Sequence, residues 1–400
     1  MNGLTERDHY QPGVLPAKKY EYARKKGIKT VFWPTMNNTQ PWRMEQGRPF
    51  LMHKPEWFVF PDWKDYTYTL YTGTTFPIRA WGNCIANEPF WKWINSLNQD
   101  GMRTGYFPGW AMDGDFVGGQ GMAIPVDCPS ATHDHLPGDS TYACERALTR
   151  MTREVREKYP ASFMLMCRPA MDLGVFSLKS TDAAFTIDET GKPTALPGMT
   201  GQPVNVMYGD TIRKMSRVRV HYHFFPHYID QPQVFVATRN AYWPQGVDWP
   251  SDKIAYVMLS AISSSPNQMY YLPTKAGIPK ADKQTIKHWL DWGRANIAFL
   301  KVRKDLPDWP TAGKVDGSAH IIGQRGLVFL FNPNAAPVKG KFVLSAEGIG
   351  LSKGERFIIT QSYPAAETSR QATWGDTVDW EVAGQSACVL QIEPGDNDAK

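Results

Sequence analysis

Apolar residues recur at helical spacing in several windows of the chain. In 140–159 (STYACERALTRMTREVREKY), Ala143, Ala147, Leu148, Met151 and Val155 share one face, and Ser140 stands where a cap belongs, so the pattern predicts a helix. The window 87–102, ending at Gly101, reads the same way, as does 282–300 with Ile286, Trp289, Leu290, Ile297 and Leu300. Residues 19–33 read as a helix end, a stop at Gly27 and a strand over Ile28–Trp33. Short apolar runs predict further strands at 104–112, 161–167 (ASFMLMC), 217–225 (RVRVHYHFF) and 253–262 (KIAYVMLSAI). Strand and helix in alternation imply a parallel sheet with crossover helices, with roughly six strands of this type.

After about residue 312 the pattern changes. Apolar and polar positions alternate between Gly, Asn and Pro turns, as in GLVFLFNPN and VDWEVAGQSACVLQIEP. That texture predicts antiparallel strands and a small β-sandwich. The expected architecture is therefore α/β: a barrel domain over 1–312 and an antiparallel β domain over 313–400, with the boundary near Pro307–Gly317.

Composition narrows the function classes. The chain has 400 residues, 42% hydrophobic and 21% charged, which is ample for a large core. A net charge of +5 with no dense basic block argues against a nucleic-acid groove or a polybasic membrane patch. No apolar run is long enough to span a bilayer, and MNGLTERDHYQPG lacks the apolar segment of a signal peptide. Aromatic residues are abundant, with 15 Trp, 17 Tyr and 19 Phe. Core packing accounts for most of such residues, while some are candidates to stack on sugar faces. The five cysteines (Cys84, Cys128, Cys144, Cys167, Cys388) form no CxxC pair, which argues against a disulfide framework or a zinc ribbon. The GGQG at 118–121 lacks the helix and Lys of a phosphate loop.

In an α/β barrel, functional side chains sit at the carboxyl ends of strands. Asp113 and Asp115, in GYFPGWAMDGDFVGGQG, follow a predicted strand; CRP at 167–169 and HYHFFPHYID at 221–230 follow two others. A solvated Asp-Gly turn explains one such acid but not the recurrence.

The order of these motifs resembles the retaining α-galactosidases of glycoside hydrolase family 36 and their clan D relatives. AMDGDF stands where that family has Trp-Asp-Met-Asn, which implies Asp113 as nucleophile, with Asp115 at the Asn position. MCRPAMDLG is similar to its Cys-x-x-Gly-Gly-Gly-Arg-x-Asp-x-Gly strand end, keeping Cys167, a shifted Arg168, Asp172 and Gly174 but not the glycines. KSTDAAFTIDE falls where the family has Ser-Asp-x-x-Asp, which implies Asp182 as acid/base. GIKTVFWPTMNN…RPFLMHKPEWFV resembles the third barrel strand, KIAYVMLSAISSSPNQMYYL the eighth, and the region from 317 the C-terminal module. Only 27 residues precede Ile28, too few for the family's first two strands and their sugar-binding Asp-Asp motif. The barrel is expected to lack its first strands, the chain being either part of a longer product or a barrel closed differently.

The resemblance implies an oligosaccharide or glycoconjugate substrate and no cofactor. A retaining glycosidase holds its two carboxyls about 5–5.5 Å apart. Asp113 would be ionised, and Asp182 would be kept protonated by partial burial near Phe176 or Phe185. Each acid reads equally as a turn or capping residue. Trp33, Trp110 and Trp243 are candidate sugar platforms or barrel filling. Arg168 would meet substrate or pair with Asp172. His133, His135 and His223 are expected to line the pocket. His133 and His135, with Cys128 or Asp127, also suggest metal, but structural zinc takes four ligands and no second closed cluster is visible, so no metal is expected. The rival readings are a reshaped barrel that binds carbohydrate without turnover, and a metal-dependent hydrolase using Cys128, His133 and His135.

Overall fold

The computed structural model describes residues 3–7, 17–26, 29–33, 65–69, 75–79, 84–105, 107–112, 128–138, 140–167, 179–185, 195–199, 201–222, 227–228, 230–235, 250–271, 278–365 and 368–395. The chain divides into two compact units, 1–185 and 186–400. The division thus falls earlier than the change of texture near Pro307–Gly317, because the antiparallel strands share a core with the helices that precede them.

The first unit runs β1 (Gly3–Arg7), α1 (Ala17–Lys25), β2 (Lys29–Trp33), β3 (Asp65–Thr69), β4 (Thr75–Arg79), α2 (Glu88–Arg103), β5 (Gly109–Met112), α3 (Thr141–Lys158), β6 (Phe163–Cys167) and β7 (Ala183–Phe185). Within it β1, β2, β5, β6 and β7 lie side by side in that order, parallel throughout. The hairpin β3–β4 is separate. The residues before Ile28 thus supply one edge strand and one helix, with Gly3 to Arg7 in register with Lys29 to Trp33. Among the described residues the strands form an open run, and the expected (β/α)8 closure is not seen. Gly109 opens β5 because a Cβ there would sit 2.4 Å from the Phe163 carbonyl.

The helices follow the sequence pattern. α2 buries Phe90, Trp91, Ile94 and Met102, and its N-cap Asn87 accepts from the Phe90 N–H. α3 buries Ala147, Leu148, Met151 and Val155 as the spacing predicts. Ser140 precedes α3 but does not cap it; its Oγ accepts instead from the Cys128 N–H at 2.9 Å.

The second unit continues with α4 (Val204–Tyr222), β8 (Asp230–Gln231), β9 (Gln233–Phe235), α5 (Ile254–Ser264), β10 (Met269–Tyr271), α6 (Lys280–Ala295), α7 (Ile297–Leu300), β11 (Lys304–Asp305), β12 (Asp316–Ile322), β13 (Arg325–Asn332), β14 (Val338–Val343), α8 (Ala346–Ile349), β15 (Arg356–Tyr363), β16 (Ser369–Thr373), β17 (Thr377–Val382) and β18 (Ser386–Pro394). Six strands order as β11-β12-β13-β18-β15-β16, and β14 pairs with β17. On β13, Leu327, Phe329 and Phe331 face the helices, while Val328 and Leu330 face the core shared with Phe342, Val378 and Trp380.

Two expected strands are helices. Lys253 ends a 3₁₀ turn and residues 254–262 fall in α5, every residue of which is buried. A run apolar on all sides carries no period, so it reads as strand or helix alike. Residues 217–222 end α4, whose Arg213, Arg217 and Arg219 are buried rather than solvated. Inward arginines make the R-V-R-V pattern mimic alternation.

Candidate active site

Parallel βα units deliver their connecting loops to the carboxyl edge of the sheet. In the first unit this edge is defined by Met112, Cys167 and Phe185, the last residues of β5, β6 and β7. Met112 lies opposite Met166, and Cys167 opposite Phe185, so the three strands end nearly level.

Asp113 and Asp115 lie outside the described residues, as do Arg168, His223 and Trp243. Asp113 is nonetheless the residue after Met112, and a trans peptide holds consecutive Cα atoms about 3.8 Å apart. Trp33 and Cys167 are the last residues of β2 and β6, described in backbone only.

Asp182 requires a correction. It precedes β7, at the amino edge, with its N–H bonded to the Met164 carbonyl. Its Oδ2 accepts from the Met164 N–H at 2.8 Å and pairs with Arg156 Nη2 at 2.6 Å, while Arg156 also donates to Lys179 O. Asp182 is thus level with Met164, about 10 Å along the strands from the level of the residue after β5. Its carboxylate ties α3 and β6 to the start of β7. Asp182→Ala is expected to leave turnover within about 2-fold and to cost about 1–2 kcal/mol of stability, read by urea denaturation.

Trp110 also differs from expectation. It is 1% exposed in the middle of β5, so its ring fills the core and cannot stack on a sugar. His133 is buried and His135 half-buried. They meet Cys84 and Cys128 in a cluster beside the starts of α2 and α3. The sequence reading lacked Cys84, which lies far upstream. His221, on α4, pairs with Asp305 at 2.9 Å.

A buried polar assembly lies in the second unit. Arg213 bonds Asp316 through two nitrogens at 2.7 and 2.8 Å, Asp210 at 2.7 Å and Ser260 Oγ at 2.6 Å. Burial pushes Asp210 up to about 6, against the pull of Arg213. The adjoining cavity, of about 10 Å³, holds one water at most. This network joins α4 to α5 and β12 and has no room for substrate.

No family model matches the sequence, and no curated protein matches it. Solved structures do. An α-amylase of Geobacillus thermoleovorans, complexed with acarbose, superposes with a TM-score of 0.55 at 10% identity, over 94% of this chain and 80% of the other. The galactosidase domain of an α-galactosidase–sucrose kinase gives 0.62 at 12%, over 95% and 46%. A family 36 α-galactosidase of Geobacillus stearothermophilus, in complex with raffinose, gives 0.61 at 11%, over 94% and 46%. The shared fold is that of barrel glycoside hydrolases with a C-terminal β domain. The chain spans under half the length of these galactosidase structures.

Proposed function

We propose that the protein is a retaining glycoside hydrolase that cleaves a terminal α-glycoside of an oligosaccharide, with α-galactosides the first class to test. The observation that carries this reading is the common carboxyl edge of β5, β6 and β7, together with the acids that follow two of these strands in the sequence. Asp113 comes directly after β5 and is the nucleophile in this reading. The acid/base passes from Asp182 to Asp188, the first carboxylate after β7. It lies three positions after Phe185, and three peptide steps reach at most about 11 Å. β5 and β7 flank β6, so their axes are about 10 Å apart, a gap that two carboxylate side chains have the length to narrow to the 5–5.5 Å a retaining enzyme uses.

The mechanism assigned to these residues has two steps. Asp113 attacks the anomeric carbon while Asp188 protonates the leaving oxygen, giving a covalent glycosyl-enzyme. Asp188 then removes a proton from water, which attacks the same carbon and frees Asp113. The fold likeness to amylases and α-galactosidases supports the reaction class, and the resemblance of AMDGDF to the galactosidase nucleophile motif supports the substrate class. The test is a panel of 4-nitrophenyl α- and β-glycosides with product anomers followed by NMR. Hydrolysis of an α-glycoside with first release of the α-anomer is expected. A folded protein that binds oligosaccharides but turns over none of the panel would instead favour the reshaped, non-catalytic barrel.

A further inference from the structure

We propose that Cys84, Cys128, His133 and His135 form a structural Zn²⁺ site that pins the loop between β5 and α3 to the start of α2. The donor atoms of all four residues lie within 4.8 Å of one another. Cys84 Sγ is 3.3 Å from His135 Nε2, and Cys128 Sγ is 3.3 Å from His133 Nδ1. Tetrahedral zinc, with Zn–S of about 2.3 Å and Zn–N of about 2.0–2.1 Å, sets sulfur–nitrogen edges of about 3.5 Å. Two edges therefore stand at coordination distance already, and the widest must close by about 1 Å. Two thiolates and two imidazoles in a tetrahedron are a donor set that selects zinc over the hard cations.

The tautomer of one histidine fits a ligand. His135 Nδ1 lies 2.8 Å from the Leu136 carbonyl. A carbonyl only accepts, so Nδ1 carries the proton and Nε2 presents its lone pair toward Cys84. A ligand histidine with its second nitrogen bonded to a carbonyl is the usual outer-shell arrangement at zinc.

The described part of this loop buries few side chains. From Cys128 to Gly138 only Cys128 and His133 are buried, and Leu136 is 71% exposed. The backbone closes on itself through Gly138 N–H to Cys128 O, with Gly138 in the left-handed region at φ +76°. Outside this closure, the Glu88 N–H at the first turn of α2 donates to Asp134 Oδ2 at 2.8 Å. A segment without an apolar core gains its order from a cross-link, as small zinc modules do. Cys84, Cys128 and Cys144 are free thiols, and Cys144 on α3 sits within hydrogen-bonding reach of Cys84 without belonging to the four-donor group.

Binding balances as Zn²⁺ plus two thiols giving two zinc-bound thiolates and two released protons, the imidazoles staying neutral. Four protein ligands close the shell, so no position remains for a water nucleophile. The site is structural, which speaks against the metal-hydrolase reading. It stands on this donor geometry alone and does not depend on the proposed glycosidase activity.

The test is metal analysis of the full chain purified without chelator, with X-ray absorption at the zinc edge. One zinc per chain is expected, bound by two sulfurs and two nitrogens. Cys84→Ser and His133→Ala should each weaken zinc retention at least about tenfold, since even outer-shell changes cost 10–100-fold. Cys144→Ser should retain it. If the ligand variants fail to fold, Co²⁺ substitution of the wild-type chain provides the second reading: thiolate-to-cobalt charge transfer and strong tetrahedral d–d bands are expected. A protein that takes up no zinc or cobalt would overturn the proposal. So would a mass two hydrogens lighter from a Cys84–Cys128 disulfide, or zinc retained by Cys84→Ser.

Discussion

Replacing Asp113 by Ala is expected to lower α-glycoside turnover by at least about 10⁴-fold, the scale seen when a covalent nucleophile is removed. Without that carboxylate no glycosyl-enzyme forms, and water must attack unaided. Asp188→Asn should behave differently. Turnover of natural oligosaccharides should fall by about 10²–10⁴-fold, the usual contribution of a general acid/base. Aryl glycosides with good leaving groups need no proton in the first step, so they should accumulate the covalent intermediate, and azide should restore turnover as a β-linked or α-linked azide according to which face it attacks. Rescue of the Asp188 variant should give the α-glycosyl azide, because the covalent intermediate is attacked from the original face. An Asp113→Ala variant with unchanged turnover would remove the nucleophile assignment, and an Asp188→Asn variant with an unchanged leaving-group profile would remove the acid.

The second large effect is on stability. Arg213→Ala is expected to cost about 3–5 kcal/mol, since it leaves two buried carboxylates without their cation. Asp210 and Asp316 are both fully buried, and Arg213 is the group that bonds each of them, with the Phe331 ring centroid 3.9 Å from its guanidinium carbon. The midpoint of thermal unfolding should fall by roughly 10 °C. The loss should depend on pH. Asp210 titrates near 6 when folded and near 3.8 as the ordinary carboxylate value. The folded state therefore binds its proton first as pH falls, so this group adds stability between about pH 6 and pH 4 and withdraws it above. Arg213→Ala should accordingly be most damaging at pH 8, where Asp210 is charged, and less so at pH 5. Urea unfolding at the two pH values measures this. An equal loss at both would exclude Asp210 as the titrating group.

Much of the fold was legible where packing leaves one face wet. α2, α3 and α6 each show a 3.6-residue apolar stripe, so periodicity identified them, whereas β12, β13 and β18, buried on both faces, were marked by short apolar runs between Gly, Asn and Pro turns. It failed where both sides are buried or where charge points inward. α5 has no wet face, and α4 turns Arg213 and Arg217 toward Asp316 and Asp305, which a hydrophobic pattern reads backwards. The site was legible in part for similar reasons. β5 is an apolar run with a sharp end, so the sequence alone placed Asp113 directly after a strand. β7 has only three residues, too few to show in the sequence that Asp182 precedes the strand rather than follows it. Cys84 was missed because a ligand group assembled from two loops leaves no local spacing to read.

The proposed mechanism requires a covalent bond between the sugar and a carboxylate directly after β5. Its test is a 5-fluoro-α-galactosyl fluoride, which forms the glycosyl-enzyme but hydrolyses slowly, followed by proteolysis and mass spectrometry. One sugar per chain is expected, attached to the peptide spanning 105–121 at Asp113. A label on any other residue, or steady hydrolysis of α-galactosides with no label under the same conditions, would contradict it.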